Sequence, residues 1–275
     1  MSPTCPPVSR MDVPMPKPIA WMQPLSWLAR GWRDLCRAPG LSLLHGLGVA
    51  AWGAVMLLAG QHRFGWMVGA LSGFLVVAPV LATSLYAISR ALERGEVVNA
   101  GLVRRTWMQW QQGRGQRHND YWCLVQFGLL LALSATGWVL VSASLITLLV
   151  PVPVATLQDF VQHVVLHDDG SLFYLWLALG SFLAAPIFAS SVVSMPLLLD
   201  RKVSLSQAVS TSWLVILQNP MAMALWAALI VGLTLLGLAS WMLGLVLVIP
   251  LLGHASWHAY RDLVDASGFA RREAA

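Results

Sequence analysis

Two histidines four residues apart, His254 and His258, stand near the end of a long apolar run and are followed by Tyr260 and Arg261. A spacing of four places both imidazoles on one helical face. Ionisable groups in an apolar helix are costly in lipid and mark candidate sites. His45 occupies an earlier apolar run at a similar depth, and three imidazoles can bind a metal or pass a proton. A neutral imidazole near an interface can equally bond a serine or a freed carbonyl and do nothing more. A second pair, His163 and His167, lies beside Asp159, Asp168 and Asp169. On a helix Asp159, His163 and His167 would share a face suited to a divalent metal, although the segment lacks the glutamate of the HExxH motif.

Three prolines interrupt apolar segments: Pro79, Pro186 and Pro250. Each removes one helical hydrogen bond, weakening the carbonyl pairing of Leu75, Phe182 and Val246, four residues earlier. In lipid such a carbonyl needs a substitute from a neighbouring helix or a hydroxyl. One turn beyond the prolines come Thr83, Ser190 and His254, and one turn further Ala87, Ser194 and His258. If the three segments face one another, Thr83, Ser190, Ser194, His254 and His258, with His45, form a polar interior. Packing and compensation of the kinks is the plainer use of the same residues. No Ser-His-Asp order, phosphate-binding loop or dinucleotide fingerprint accompanies them, so neither an enzyme nor a cofactor is expected.

The elements that must carry these residues are fixed by where charge is absent. Only 11% of the 275 residues are charged and 57% are hydrophobic, against about 25% charged in a soluble domain. A formal charge of +5 without basic runs excludes a nucleic-acid binder. Charge-free intervals at 38–62, 64–89, 121–158, 170–199 and 203–260 predict six spanning helices, at about 41–60, 65–88, 122–149, 172–198, 219–237 and 240–259, the last interval breaking at Gly237-Leu238-Ala239-Ser240. Sixteen of seventeen Lys and Arg fall on one side of this map and Arg63 alone on the other, which places both termini in the cytoplasm. Residues 1–23 are rich in proline and read as a disordered cytoplasmic leader, 24–265 as the membrane domain and 266–275 as a cytoplasmic tail.

The chain also repeats itself. Val97, Val103 and Trp107 recur as Val203, Val209 and Trp213, and Trp32 and Trp213 each stand seven residues before a proline, Pro39 and Pro220. The unit is a short amphipathic cytoplasmic helix, an outgoing span, a turn and a proline-bearing returning span, in copies over about 24–90, 97–202 and 203–261. In 99–112, Asn99 can cap the helix, Leu102, Val103, Trp107 and Trp110 can face lipid, and Arg104 and Arg105 can reach headgroups. Trp32, Trp107 and Trp213 would then be interfacial anchors, since an indole pairs an apolar ring with a polar N–H.

The blocks GFLVVAPVLATSLYAISRALERGE (73–96), FASSVVSMPLLLDRKVSLSQAVSTSWLVILQNPMAMALWA (188–227) and IPLLGHASWHAYRDLV (249–264) resemble a bacterial family of integral membrane proteins known only as a domain of unknown function. The resemblance covers about 30–265 and implies a bacterial inner-membrane protein; it carries no activity, ligand or catalytic residue. The proline-rich leader and the basic stretch at 112–118 fall outside it.

The expectation is thus an all-α, polytopic bundle of six spans in three repeated hairpins. Its partners would be the lipid bilayer and other membrane proteins, in an assembly role; the alternative is a small transporter or channel with a polar path between kinked helices. Oligomeric state is not legible.

Overall fold

The computed structural model describes residues 13–60, 81–112, 122–154, 156–166 and 170–272, and these are almost entirely helical. Helix α1 is Gln23–Arg37, α2 Pro39–Gly60, α3 covers 81–94, α4 is Ala100–Gln112 and α5 Trp122–Leu149. After a short α6 (Leu157–Phe160) and a π-helical turn, Val161–Val165, come α7 (Ser171–Ser191), α8 (Ser194–Asp200), α9 (Leu205–Gln218), α10 (Pro220–Ala239) and α11 (Leu245–Leu263). Strand β1 (Met15–Pro16) pairs antiparallel with β2 (Val264–Asp265).

Local signals account for most boundaries. Proline opens α2 and α10, where its missing N–H would have no helical acceptor in any case. Asn99 Oδ1 accepts from Leu102 N at 3.0 Å at the start of α4, and Ser204 with Gln207 forms a reciprocal capping box at the start of α9. Helix α10 ends at Ala239, inside the expected break, and Ser240 Oγ ties Gly237 O to Gly244 N, each at 2.8 Å.

Among the described residues, four segments are long and apolar enough to cross a bilayer: Pro39–Met56, Cys123–Leu149, Ser171–Asp200 and Pro220–Ala239. The second expected span, 65–88, falls largely on 61–80, outside the described residues. The sixth forms a helix, α11, but its apolar run stops at Gly253, and from His254 onward it carries the groups that bind other helices. Pro186 and Pro250 lie inside α7 and α11; Pro79 lies outside the described residues.

Helix α11 is the central element, flanked along its length by α1 and α2. The main core gathers Trp27, Leu197, Leu198, Met223, Trp226, Trp257, Tyr260 and Leu263 where α1, α8, α10 and the second half of α11 meet. Trp27 and Trp226 cross edge to face, with centroids 5.4 Å apart. Two expectations are corrected here. Helix α1 is not simply laid on lipid, because Trp27, Gly31 and Asp34 form a stripe buried against α11. Leu102 and Val103 of α4 do not face lipid either; they pack with Ala38, Ile88 and Ala91. An apolar stripe satisfies a neighbouring helix as well as it satisfies acyl chains.

The chain ends are also held. Residues 14–19 run as a strap: Pro14 O accepts from Thr211 Oγ1 at 3.2 Å, Lys17 N donates to Leu263 O at 2.8 Å, and Asn219 brackets the strap through Ile19 N and Lys17 O. The part of the leader that is described is therefore ordered by side chains more than 190 residues away, while residues 1–12 lie outside the described set. At the other end, 269–272 run beside 200–203, with Lys202 N donating to Ala270 O and Arg272 N to Asp200 O. The strap and this tail segment sit at the same end of the bundle.

Candidate functional site

Helix α11 brings its two histidines to different partners. His254 is wholly buried; Ser42 Oγ of α2 lies 2.9 Å from its Nε2 and Ser89 Oγ of α3 lies 2.8 Å from its Nδ1. Ser89 also hydrogen-bonds the Asp34 carboxylate. A carboxylate only accepts, so Ser89 donates to Asp34 and accepts from His254 Nδ1, which leaves Nε2 to accept from Ser42. One turn on, His258 Nε2 donates to Asp34 Oδ2 at 2.8 Å. Burial would raise the Asp34 carboxyl, but hydrogen bonds from His258 and Ser89 and the neighbouring imidazoles hold it below its ordinary value.

His45 does not join this chain directly. Its Nδ1 donates to Leu41 O at 2.7 Å, and Ser84 Oγ lies 2.6 Å from its Nε2. Ser84 also points at Leu81 O, 2.7 Å away, so a neutral His45 and Leu81 compete for one hydroxyl proton. Thr83 is buried beside Ser84 on α3. Ser190 and Ser194 belong elsewhere: Ser190 Oγ accepts from Trp213 Nε1 at 3.0 Å and Ser194 donates to Ala208 O. The expected polar interior is thus two sets, one around α11, α1, α2 and α3, the other where α7 and α8 meet α9.

Two densely bonded carboxylates escaped the sequence. Asp200, 3% exposed, ends the apolar run of α8 and receives Arg94 Nη2 at 3.2 Å, Arg201 Nε at 2.9 Å and the Tyr260 hydroxyl at 2.9 Å. Arg90 donates to Leu199 O and Arg272 Nε to Arg201 O, so α3, α11 and the tail converge on the end of α8 around Asp200. Burial and the adjacent Asp200 charge push the Tyr260 hydroxyl up, which keeps it a donor. Asp262 plays a similar part for α1, taking bonds from Trp27 Nε1, Gln23 and Arg30; burial opposes ionisation there and those bonds outweigh it, lowering the carboxyl. Glu93 spends one oxygen on Trp257 Nε1 at 2.9 Å and the other on Arg261 at 2.8 Å. Two signals pointed to these residues. Asp200 follows an unbroken buried apolar run, and Asp34 falls on the Trp27-Gly31 face of α1 rather than on its exposed face.

Trp32, Trp107 and Trp213 are 48%, 40% and 41% exposed, the same outward position on α1, α4 and α9, with Arg104 and Arg105 exposed beside Trp107. Asp159 is engaged locally, accepting from Thr156 N at 2.9 Å in a turn that caps α6. His163 lies in the π-helical turn and His167 outside the described residues. Among the described residues no three His, Cys, Asp or Glu side chains are grouped to hold a metal.

Four long apolar helices and a polar, ion-paired end define an integral membrane protein of the all-α class. Residues 67–200 match the family model described as "Predicted integral membrane protein (DUF2189)", a domain of unknown function. The match ends at Asp200, so α9 to α11, with His254 and His258, lie beyond it. No curated protein and no solved structure matches the chain.

Proposed function

We propose that the chain is a six-span protein of the bacterial inner membrane, both termini in the cytoplasm, acting as a non-catalytic structural or assembly partner of other membrane components. The observation that carries this reading is the spent state of the polar centre: His254 uses both ring nitrogens, Ser190 takes the Trp213 indole and Ser194 is bonded across to α9. Groups that guide a solute need water or cargo as partners; these have protein.

The proposed threefold repeat fits the packing. Helix α4 lies on α3, α9 on α7 and α8, and α1 on α11, so each short helix packs on the returning helix of the preceding unit and the third unit closes onto the first. With Trp32, Trp107 and Trp213 aligned, Trp27, Leu102 and Ala208 fall in register, and all three are buried. Positive-inside asymmetry supports the orientation. A reporter fused after Gln112 should be cytoplasmic and one after Asp168 periplasmic; the reverse pattern would sink the topology.

One feature favours the alternative of a transporter. A cavity of about 340 Å³ lies between α3, α5, α7, α10 and α11, with Tyr86, Ser191 and Ser256 among its walls. Reconstituted protein should leave an imposed pH gradient and glycerol swelling of liposomes unchanged. Flux that Ala82→Trp abolishes, by filling that cavity, would replace the assembly reading with transport.

A further inference from the structure

At the polar end a separate cavity of about 230 Å³ opens between α1, α3 and α11. Arg30, Arg33 and Arg37 of α1 contribute three guanidiniums to it, against the carboxylates of Asp34 and Glu93. The carboxylates are already committed: Asp34 to His258 and Ser89, Glu93 to Arg261 and Trp257. Arg30 in turn is committed to Asp262, yet its Nε is buried with no acceptor among the described residues. Arg33 reaches only its own helix, at Ala29 O 3.4 Å away, and neither Arg33 nor Arg37 meets a carboxylate among the described residues. Two like charges four apart on one helical face repel. The lining therefore carries two uncommitted positive charges.

Planar guanidinium forks in that arrangement suit a phosphate, which can accept from both at once. Depth selects the source of the phosphate. Arg37 stands two residues before Pro39, where the apolar segment Pro39–Met56 begins, and Trp32 is exposed on the same helix. A group held there meets acyl chains directly beneath it. We propose that this cavity binds the phosphate of an anionic phospholipid, with Arg33 and Arg37 as its contacts.

The test uses the full chain in neutral detergent micelles, titrated with phosphatidylglycerol, phosphatidylcholine or inorganic phosphate and followed by tryptophan fluorescence and native mass spectrometry. Phosphatidylglycerol should bind saturably, and phosphatidylcholine and inorganic phosphate at least tenfold more weakly. Arg33→Gln with Arg37→Gln should weaken phosphatidylglycerol binding at least tenfold. Arg37→Gln alone should weaken it less, and both proteins should melt like the parent without lipid, since neither side chain has an ion-pair partner to lose. Lys202→Gln with Arg271→Gln removes two exposed cations outside the cavity and should leave binding unchanged. Lipid binding that survives loss of Arg33 and Arg37, falls equally in the Lys202/Arg271 variant, or is matched by inorganic phosphate overturns the proposal.

Discussion

Gly46 offers the sharpest test of how the lipid-embedded helices are held. Pro250 has no N–H for the carbonyl of Val246, four residues earlier on α11. Helix α2 presents Gly46 to that same residue: a Cβ at position 46 would overlap the Val246 carbonyl and lie 2.8 Å from its Cα. The contacted atoms are backbone, so Gly46→Ala forces the helices apart by roughly 1 Å to regain ordinary carbon contacts. Overpacking of this kind costs about 1–3 kcal/mol. Ser42 stands one turn before Gly46 on α2, so the same displacement breaks its 2.9 Å bond to the wholly buried His254 and strands a ring nitrogen, for about 1–3 kcal/mol more. Alanine returns about 1 kcal/mol through helix propensity. The net loss is about 3 kcal/mol, which for a chain of this size is on the order of 6–12 °C in melting temperature. Gly48, on the same helix with nothing within 4 Å of its Cβ position, is the matched control; Gly48→Ala should be neutral or stabilising by up to about 1 kcal/mol. Far-UV circular dichroism melts in detergent decide between them. Equal melting of the two variants, within about 0.5 kcal/mol, the usual scatter of inert surface changes, would refute the close-approach argument.

Other perturbations address the polar end. Asp200→Asn leaves Arg94 and Arg201 without their buried counter-charge and should cost about 3–5 kcal/mol; because the tail is pinned at the same place, limited proteolysis should cut after residue 265 far faster than in the parent. Trp27→Phe keeps the edge-to-face contact with Trp226 but loses the 2.9 Å bond to Asp262, for about 1 kcal/mol in the same melts. Asp34 and Asp262 both titrate below the ordinary 3.8 when folded. Their stabilisation is therefore complete above that value and is lost as pH falls through the lowered folded values. Melting temperature should drop as the pH is taken below about 4, the ordinary carboxylate range, and Asp34→Asn should shallow that drop; an identical acid slope in the variant would contradict the assignment.

Helix boundaries were the most legible feature, because prolines at 39 and 220, Asn99 and the Gly237–Ser240 break act through local chemistry that needs no fold. The second half of α11 was less so. Histidine, serine, tryptophan and tyrosine carry no formal charge, and a charge-free interval therefore counts them as lipid-compatible, although here they face α1, α3 and α8. The histidines stand out by their spacing, but their partners do not: Ser42 is 212 residues from His254, Ser89 is 165, and Asp34 is 224 from His258. Ser190 and Ser194 do not share the site of His254 and His258, because their hydroxyls meet α9, through Trp213 and Ala208, rather than α1, α2 and α3. The strap at 14–19 was hidden by its prolines, which suit disorder and an extended edge alike.

The division of labour in the fold follows from the solvent on each side. Between apolar helices in lipid there is no gain from burying hydrocarbon, so association depends on close backbone approach and on polar bonds; Gly46 against Val246 and His254 between Ser42 and Ser89 are of these two kinds. Where water reaches the chain, burial of apolar surface becomes the main driving force, and there the structure builds an ordinary core around Trp27, Trp226, Trp257 and Tyr260, tied by Asp200, Asp262 and both chain ends. Helix α11 carries both kinds of contact, apolar to Gly253 and polar beyond it. Its movement relative to α1 or α2 would have to break contacts of both kinds together, since Gly31 of α1 lies against the backbone of Ala255 as Gly46 of α2 lies against that of Val246. That coupling ties α1, α2 and α11 into one unit, in which a displacement at Gly46 is felt at Ala255 as well.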